Sequence, residues 1–123
     1  MYDSLTSSTS CRLRREHPAS RSCDQVIALV ARTKNVSSQA ITSRRRNLLP
    51  IARARQLAMY LSHVVLGRTL ADIGEIFGRD RTTVSYACAL IEDMRDDPQF
   101  DDEVSSLERQ IEAGLATKVV THG

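Results

Sequence analysis

The chain has 123 residues, 41% hydrophobic and 4% aromatic with no tryptophan, and its net charge of +2 divides into eleven Arg or Lys against three acids over residues 1–60 and three against nine over 91–123. That length gives one domain with a modest core, the scarcity of aromatics favours a small all-α fold over a β-sandwich, and a basic half suits a polyanion such as nucleic acid. Cys11, Cys23 and Cys88 form no CxxC pair, His17, His63 and His122 lack metal-ligand spacing, and no apolar run approaches the ~20 residues of a membrane span, so no disulfide framework, metal, cofactor or membrane is indicated and a reducing cytoplasm is the expected setting.

In chain order, residues 1–23 are rich in Ser, Thr and Arg without apolar periodicity. They read as a flexible tail able to touch phosphates without sequence preference. Ser22 with Gln25 makes a capping-box signature, after which Val26, Ile27, Leu29 and Val30 supply the buried face of a first helix to about Thr33. Asn35 marks a turn, and a short helix from Ser37 or Ser38 to about Thr42 leads into Ser43-Arg44-Arg45-Arg46-Asn47. Three consecutive arginines cannot all face a core, so Arg44, Arg45 and Arg46 form an exposed loop. Such a loop suits either solvent or a narrow minor groove, where negative potential is concentrated and a guanidinium is readily dehydrated.

The strongest helical pattern runs from about Ile51 to Leu66, with Ala54, Leu57, Ala58, Leu61, Val64 and Val65 on one side and Gly67 at its end. Arg53, Arg55 and Gln56 stand in its first turns, where cations oppose the helix dipole. A local preference broken without structural gain points to function, here contacts with DNA phosphates.

From Thr69 to Met94 the spacing predicts two short helices across a tight turn. Leu70, Ile73, Ile76 and Phe77 fall at helical intervals, Gly78 follows, and Val84, Ala87, Cys88 and Ile91 resume the period. Gly74 supplies a small residue where the helices cross, and Gly78 a left-handed turn. Thr69 is an expected N-cap at a helix start where phosphate is also favoured. Arg79, Asp80, Arg81, Thr82 and Thr83 open the second helix, at the end that would enter a major groove. Asp80 serves equally as cap or base contact, the threonines offer methyl and hydroxyl groups, and Arg81 suits bidentate contact with guanine. Asp96-Asp97-Pro98 then breaks the helix. A final helix from about Asp101 to Ala113 packs Val104, Leu107 and Ile111, and residues 113–123 are expected to fray. Its acids either solvate the side away from DNA or touch the arginine loop and compete with DNA.

The stretch from Ala52 to Asp93 resembles the carboxy-terminal DNA-binding domain of the bacterial replication initiator DnaA. The carriers are Arg55-Gln56 followed by Ala58-Met59, Ile73-Gly74, Phe77-Gly78-Arg79-Asp80 with Thr82-Thr83-Val84, and Ala87-Cys88 leading to Ile91-Glu92. The likeness covers about residues 24–112 and implies a helical domain of the Trp-repressor and DnaA domain IV type. It further implies minor-groove contact by Arg46 with Arg44 and Arg45, phosphate contact by Arg55 and Gln56, and base reading by Asp80, Thr82 and Thr83. Three departures stand out. Arg81 replaces the family's histidine, Gly78 stands alone where members usually have two glycines, and an extra residue lies between Arg46 and Arg53. No GxxxxGK[ST] nucleotide-binding loop occurs in these residues.

Together these features predict sequence-specific binding of double-stranded DNA by a stand-alone module that regulates transcription or replication initiation, in the cytoplasm at the nucleoid. Residues expected at phosphate are Arg53, Arg55, Gln56 and Thr69; those expected at bases are Arg79, Asp80, Arg81, Thr82 and Thr83. A monomer suffices to engage both grooves. The competing reading is a protein-binding adaptor that kept the fold and uses its acidic last helix, though an adaptor has no need of the arginine loop or the Thr-Thr pair. No nucleophile with a base, paired carboxylates or metal spacing suggests an enzyme or a small-molecule substrate.

Overall fold

In the computed structural model, which describes residues 18–43 and 48–122 with side chains placed for 23–43 and 48–114, helix follows helix and no strand occurs among the described residues. The elements are α1 (Pro18–Lys34), α2 (Ser38–Thr42), α3 (Leu49–Val64), α4 (Leu70–Phe77), α5 (Arg81–Met94) and α6 (Pro98–His122). Residues 1–17, most of the expected tail, lie outside the described residues, as do Arg44, Arg45 and Arg46.

α3 is the axis of the fold and packs against α1, α2, α4 and α5. Its buried positions Ala54, Leu57, Ala58, Met59, Tyr60 and Leu61 occupy more than one face, because helices flank it on several sides. Each large aliphatic or aromatic side chain buried here contributes about 1.5–3 kcal/mol of transfer free energy. Leu57, Leu61, Ile73, Phe77, Val84 and Ile91 form the shared centre that fixes α4 and α5 on α3. The expected α3 was displaced: it begins at Leu49, with Pro50 in its first turn, and ends at Val64, whose side chain is 46% exposed rather than in the core.

α1 starts at Pro18, so Ser22 lies within the helix and does not cap it. The fixed φ of proline suits a first helical position and leaves no orphan N–H there. Cys23 is fully buried, which places the end of the expected tail inside the helical core. Asn35 closes α1 in the left-handed region at φ 58, and the Val36 N–H donates to the Ala31 carbonyl at 3.0 Å.

At the opposite end, the backbone of α6 remains helical to His122, past the end expected near Ala113. Val104, Leu107 and Ile111 are buried, the period expected for its inward stripe. Arg95, just past α5, ties this helix down: its guanidinium donates to Asp101 at 2.6 Å, Glu108 at 2.9 Å, Ser105 at 3.0 Å and the Tyr60 hydroxyl at 3.0 Å. Lys34 pairs with Glu103 at 2.6 Å and joins α1 to α6. Three of the acids considered as competitors for the arginine loop, Asp101, Glu103 and Glu108, are thus paired with Arg95 and Lys34. At 1.5 Å per residue, Arg95 lies roughly 20 Å along α5 from Arg81.

Candidate nucleic-acid interface

Local chemistry shapes the reading end before any ligand is considered. Thr69 is the N-cap of α4, its hydroxyl accepting from the Asp72 N–H at 3.0 Å. Gly78 ends α4 at φ 68, and the N–H groups of Gly78 and Arg79 both donate to the Gly74 carbonyl, the latter at 2.8 Å. A β-carbon on Gly74 would stand 2.5 Å from the Arg79 carbonyl oxygen, so the close approach it permits is to the backbone of the turn. Asp80 then caps α5, accepting from the Thr83 N–H at 2.7 Å. That hydrogen bond holds the exposed Asp80 carboxyl below the usual carboxylate range.

These caps orient the two helix starts toward one open cleft. Thr69, Leu70 and Ala71 from α4 face Arg81, Thr82 and Ser85 from α5 across about 520 Å³. Val84, Ala87 and Ile91 anchor α5 in the core, which leaves Arg81, Thr82, Thr83, Ser85 and Tyr86 exposed. The cleft therefore combines a guanidinium and hydroxyl groups beside two helix starts. That donor set favours anions and polar base edges.

The start of α3 carries most of the residues expected at phosphate. The Arg53 guanidinium donates to the Gln56 side-chain oxygen at 2.9 Å, and both side chains are half-buried. Arg55 does not take the surface position expected for it, being 7% exposed. Its Nε donates to the Ile41 carbonyl at 2.6 Å, and Nη2 donates to the Ala40 and Ser43 carbonyls at 2.9 and 3.3 Å. The end of the five-residue α2 leaves carbonyls unsatisfied, and a cation is favoured there by both hydrogen bonding and the helix dipole. Burial, with the neighbouring Arg79 charge, lowers the Arg55 pKa from its ordinary value.

Arg79, expected among the base readers, also turns inward. It donates to the Phe77, Gly78 and Ser43 carbonyls at 3.1, 3.4 and 3.0 Å. The structure thus brings Thr69, Arg81 and Thr82 to one cleft, leaves Asp80 and Thr83 exposed beside it, and sets Arg55 and Arg79 together on the Ser43 carbonyl. Ser85 and Tyr86 were absent from the sequence expectation, yet they follow Thr82 by three and four residues, the spacing that shares a helix face. Tyr86 is 66% exposed.

Among the described residues, no three His, Cys, Asp or Glu side chains converge as metal ligands would. The Cys23 and Cys88 thiols are free, and burial raises the pKa of both. No helix of the described residues is long and apolar enough to cross a membrane.

Residues 23–91 match the family model described as bacterial dnaA protein helix-turn-helix. The chromosomal replication initiator protein DnaA of Rhodopseudomonas palustris strain HaA2 is 39% identical over 102 residues, covering 81% of this chain and 21% of the relative. The DnaA of Bradyrhizobium sp. strain ORS 278 is also 39% identical over 102 residues, with the same coverage. The chain therefore spans about one fifth of the length of these curated relatives. A crystal structure titled as a DNA replication initiation factor superposes with a TM-score of 0.70 at 32% identity, over 80% of this chain and 30% of that one.

Proposed function

This chain belongs to the bacterial DnaA helix-turn-helix family, and on that premise we propose that it binds double-stranded DNA sequence-specifically through the end that carries the α4–α5 turn. The observation that carries this reading is the open cleft between the two helix starts, where Arg81, Thr82 and Ser85 face Thr69, Leu70 and Ala71. Arg81, Thr82 and Thr83 read base edges in the major groove, with Asp80 available through its second carboxylate oxygen. Arg53, Gln56 and Thr69 hold phosphates, and Arg44, Arg45 and Arg46 enter the adjacent minor groove. A domain spanning residues 24–112 carries this function.

Each good base contact contributes about 1–3 kcal/mol of discrimination, while the phosphate contacts set a background that weakens as salt rises. Arg81, standing where the family has histidine, selects a different base at its position. The action proposed for these residues is occupancy of DNA sites. Occupancy at initiator-type or promoter sequences in the cytoplasm would regulate replication initiation or transcription. Selection of bound sequences from a random duplex pool tests the reading. Enrichment of one motif, with affinity falling steeply between low and moderate salt, is the expected result; a pool that never departs from random contradicts it.

A further inference from the structure

Between Asp24 and Asp72 the chain has no acidic residue and eight Arg or Lys. Within that stretch two adjacent leucines at the head of α3 stay in solvent: Leu48 is 77% and Leu49 63% exposed, with Pro50 exposed beside them. Their backbone is firmly mounted. The Leu48 carbonyl accepts from the Ile51 and Ala52 N–H groups at 3.0 and 3.1 Å, while Ala54, Leu57 and Ala58 seat the helix in the core. Leu49 precedes Arg53 by four residues and Gln56 by seven, so the three share one helix face, on which the Arg53 guanidinium donates to Gln56 at 2.9 Å. The same helix is tied to the α4–α5 turn, since Arg55 and Arg79 both donate to the Ser43 carbonyl, and Leu49 lies roughly 9 Å along the axis ahead of Arg55. The apolar pair thus extends the face that carries Arg53 and Gln56.

We propose that Leu48 and Leu49 form a wedge that enters the minor groove of bound DNA and parts one base step, so that the chain bends its site. This rests on the DNA-binding reading above and adds a function to it. Exposed aliphatic surface in an acid-free, cationic stretch suits a ligand that is anionic outside and apolar within, as the phosphate backbone and stacked bases of a duplex are. Aliphatic wedges act from the minor groove and kink the duplex toward the major groove, and pyrimidine–purine steps unstack most readily. Arg53, one turn further along α3, holds a phosphate that flanks the parted step. A second copy of the chain is a poorer occupant, because two leucines and a proline are a small part of the ~800 Å² per partner that a stable protein interface buries.

The test uses the full 123-residue chain and the duplex selected from the random pool, with energy transfer between dyes at the duplex ends reporting the bend. The unsubstituted chain should bend that duplex by at least about 20°. L48A/L49A should leave the urea midpoint unchanged, because both side chains are exposed, yet bind about tenfold more weakly and leave the duplex nearly straight. L49M, which keeps a long aliphatic side chain, should retain the bend. Selection from the pool with L48A/L49A should lose any preference for a pyrimidine–purine step and keep the base read by Arg81. A bound but straight duplex, or an equal bend with L48A/L49A, overturns the wedge and leaves the DNA reading intact. Self-association in sedimentation that the double substitution abolishes, with the bend unchanged, assigns the leucines to a protein contact instead. Failure of the unsubstituted chain to bind any duplex removes the DNA reading and the wedge together.

Discussion

Arg95 near the end of α5 and Arg55 with Arg79 near its start show two environments for the same side chain. Burial alone would lower the Arg95 pKa, but hydrogen bonds to Asp101, Tyr60 and Glu108 outweigh it and raise the pKa above the ordinary value. The described bonds of Arg55 and Arg79 run to backbone carbonyls, and both burial and the Arg79 charge lower the Arg55 pKa. At the far end, arginine charge is matched by carboxylates within the fold. At the other end the exposed guanidinium of Arg81 faces the open cleft, where on the proposed reading a polyanion meets it. Stability and DNA affinity should therefore be separable by substitutions at the two ends.

The largest effect is expected where the two properties meet. Gly74→Ala drives a β-carbon to 2.5 Å from the Arg79 carbonyl, and the backbone must shift to admit it. Urea denaturation should show a loss of about 3 kcal/mol, with weakened duplex binding alongside. A variant of unchanged stability would show that the turn yields freely and that its geometry is not what sets the reading end.

Arg95→Met should act on stability alone. It leaves Asp101 and Glu108 partly buried without their guanidinium, at a cost of about 2 kcal/mol. Duplex affinity measured below the unfolding transition should stay within about twofold, because the site lies roughly 20 Å along α5 from Arg81. Arg81→Ala is the mirror case: its exposed side chain should cost less than about 0.5 kcal/mol of stability, while specific affinity falls about tenfold. R81H should keep stability and change the base preferred at one position of the site.

The smallest effect follows from Asp80. Its carboxyl pKa is lowered in the folded protein by the bond from the Thr83 N–H, so its contribution to stability is present above the unfolded carboxyl pKa and is lost as pH falls through the folded one. Thermal midpoints of the unsubstituted chain should decline more steeply between about pH 5 and pH 2 than those of Asp80→Asn, whose cap does not titrate. Parallel curves would deny the cap its electrostatic part.

The local geometry around the α4–α5 turn is legible in the sequence because its determinants are local. Thr69 and Asp80 occupy cap positions, Gly78 provides the left-handed residue, and Val84, Ala87 and Ile91 repeat at a helical period. Arg55 and Arg79 are placed differently because the bonds of Arg55 reach carbonyls 12 to 15 residues away and one bond of Arg79 reaches a carbonyl 36 residues away, and helical position alone does not say where a long guanidinium finds its acceptors. Ser85 and Tyr86 carried a signal that was available: the same period that buries Val84 and Ala87 places both outward. α1 starts earlier than its Ser-x-x-Gln pattern suggests, because that pattern occurs within a helix as readily as before one, whereas Pro18 marks the first turn.

The central claim, that one end of this fold receives DNA and the other only stabilises it, is tested most directly by backbone amide NMR shifts on titration with the selected duplex. The account predicts the largest changes at residues 43, 53, 56, 69–72 and 79–86, with the amides around Arg95, Ser105 and Glu108 nearly still. Shifts concentrated on residues 95–111, or none at saturating duplex, would contradict it.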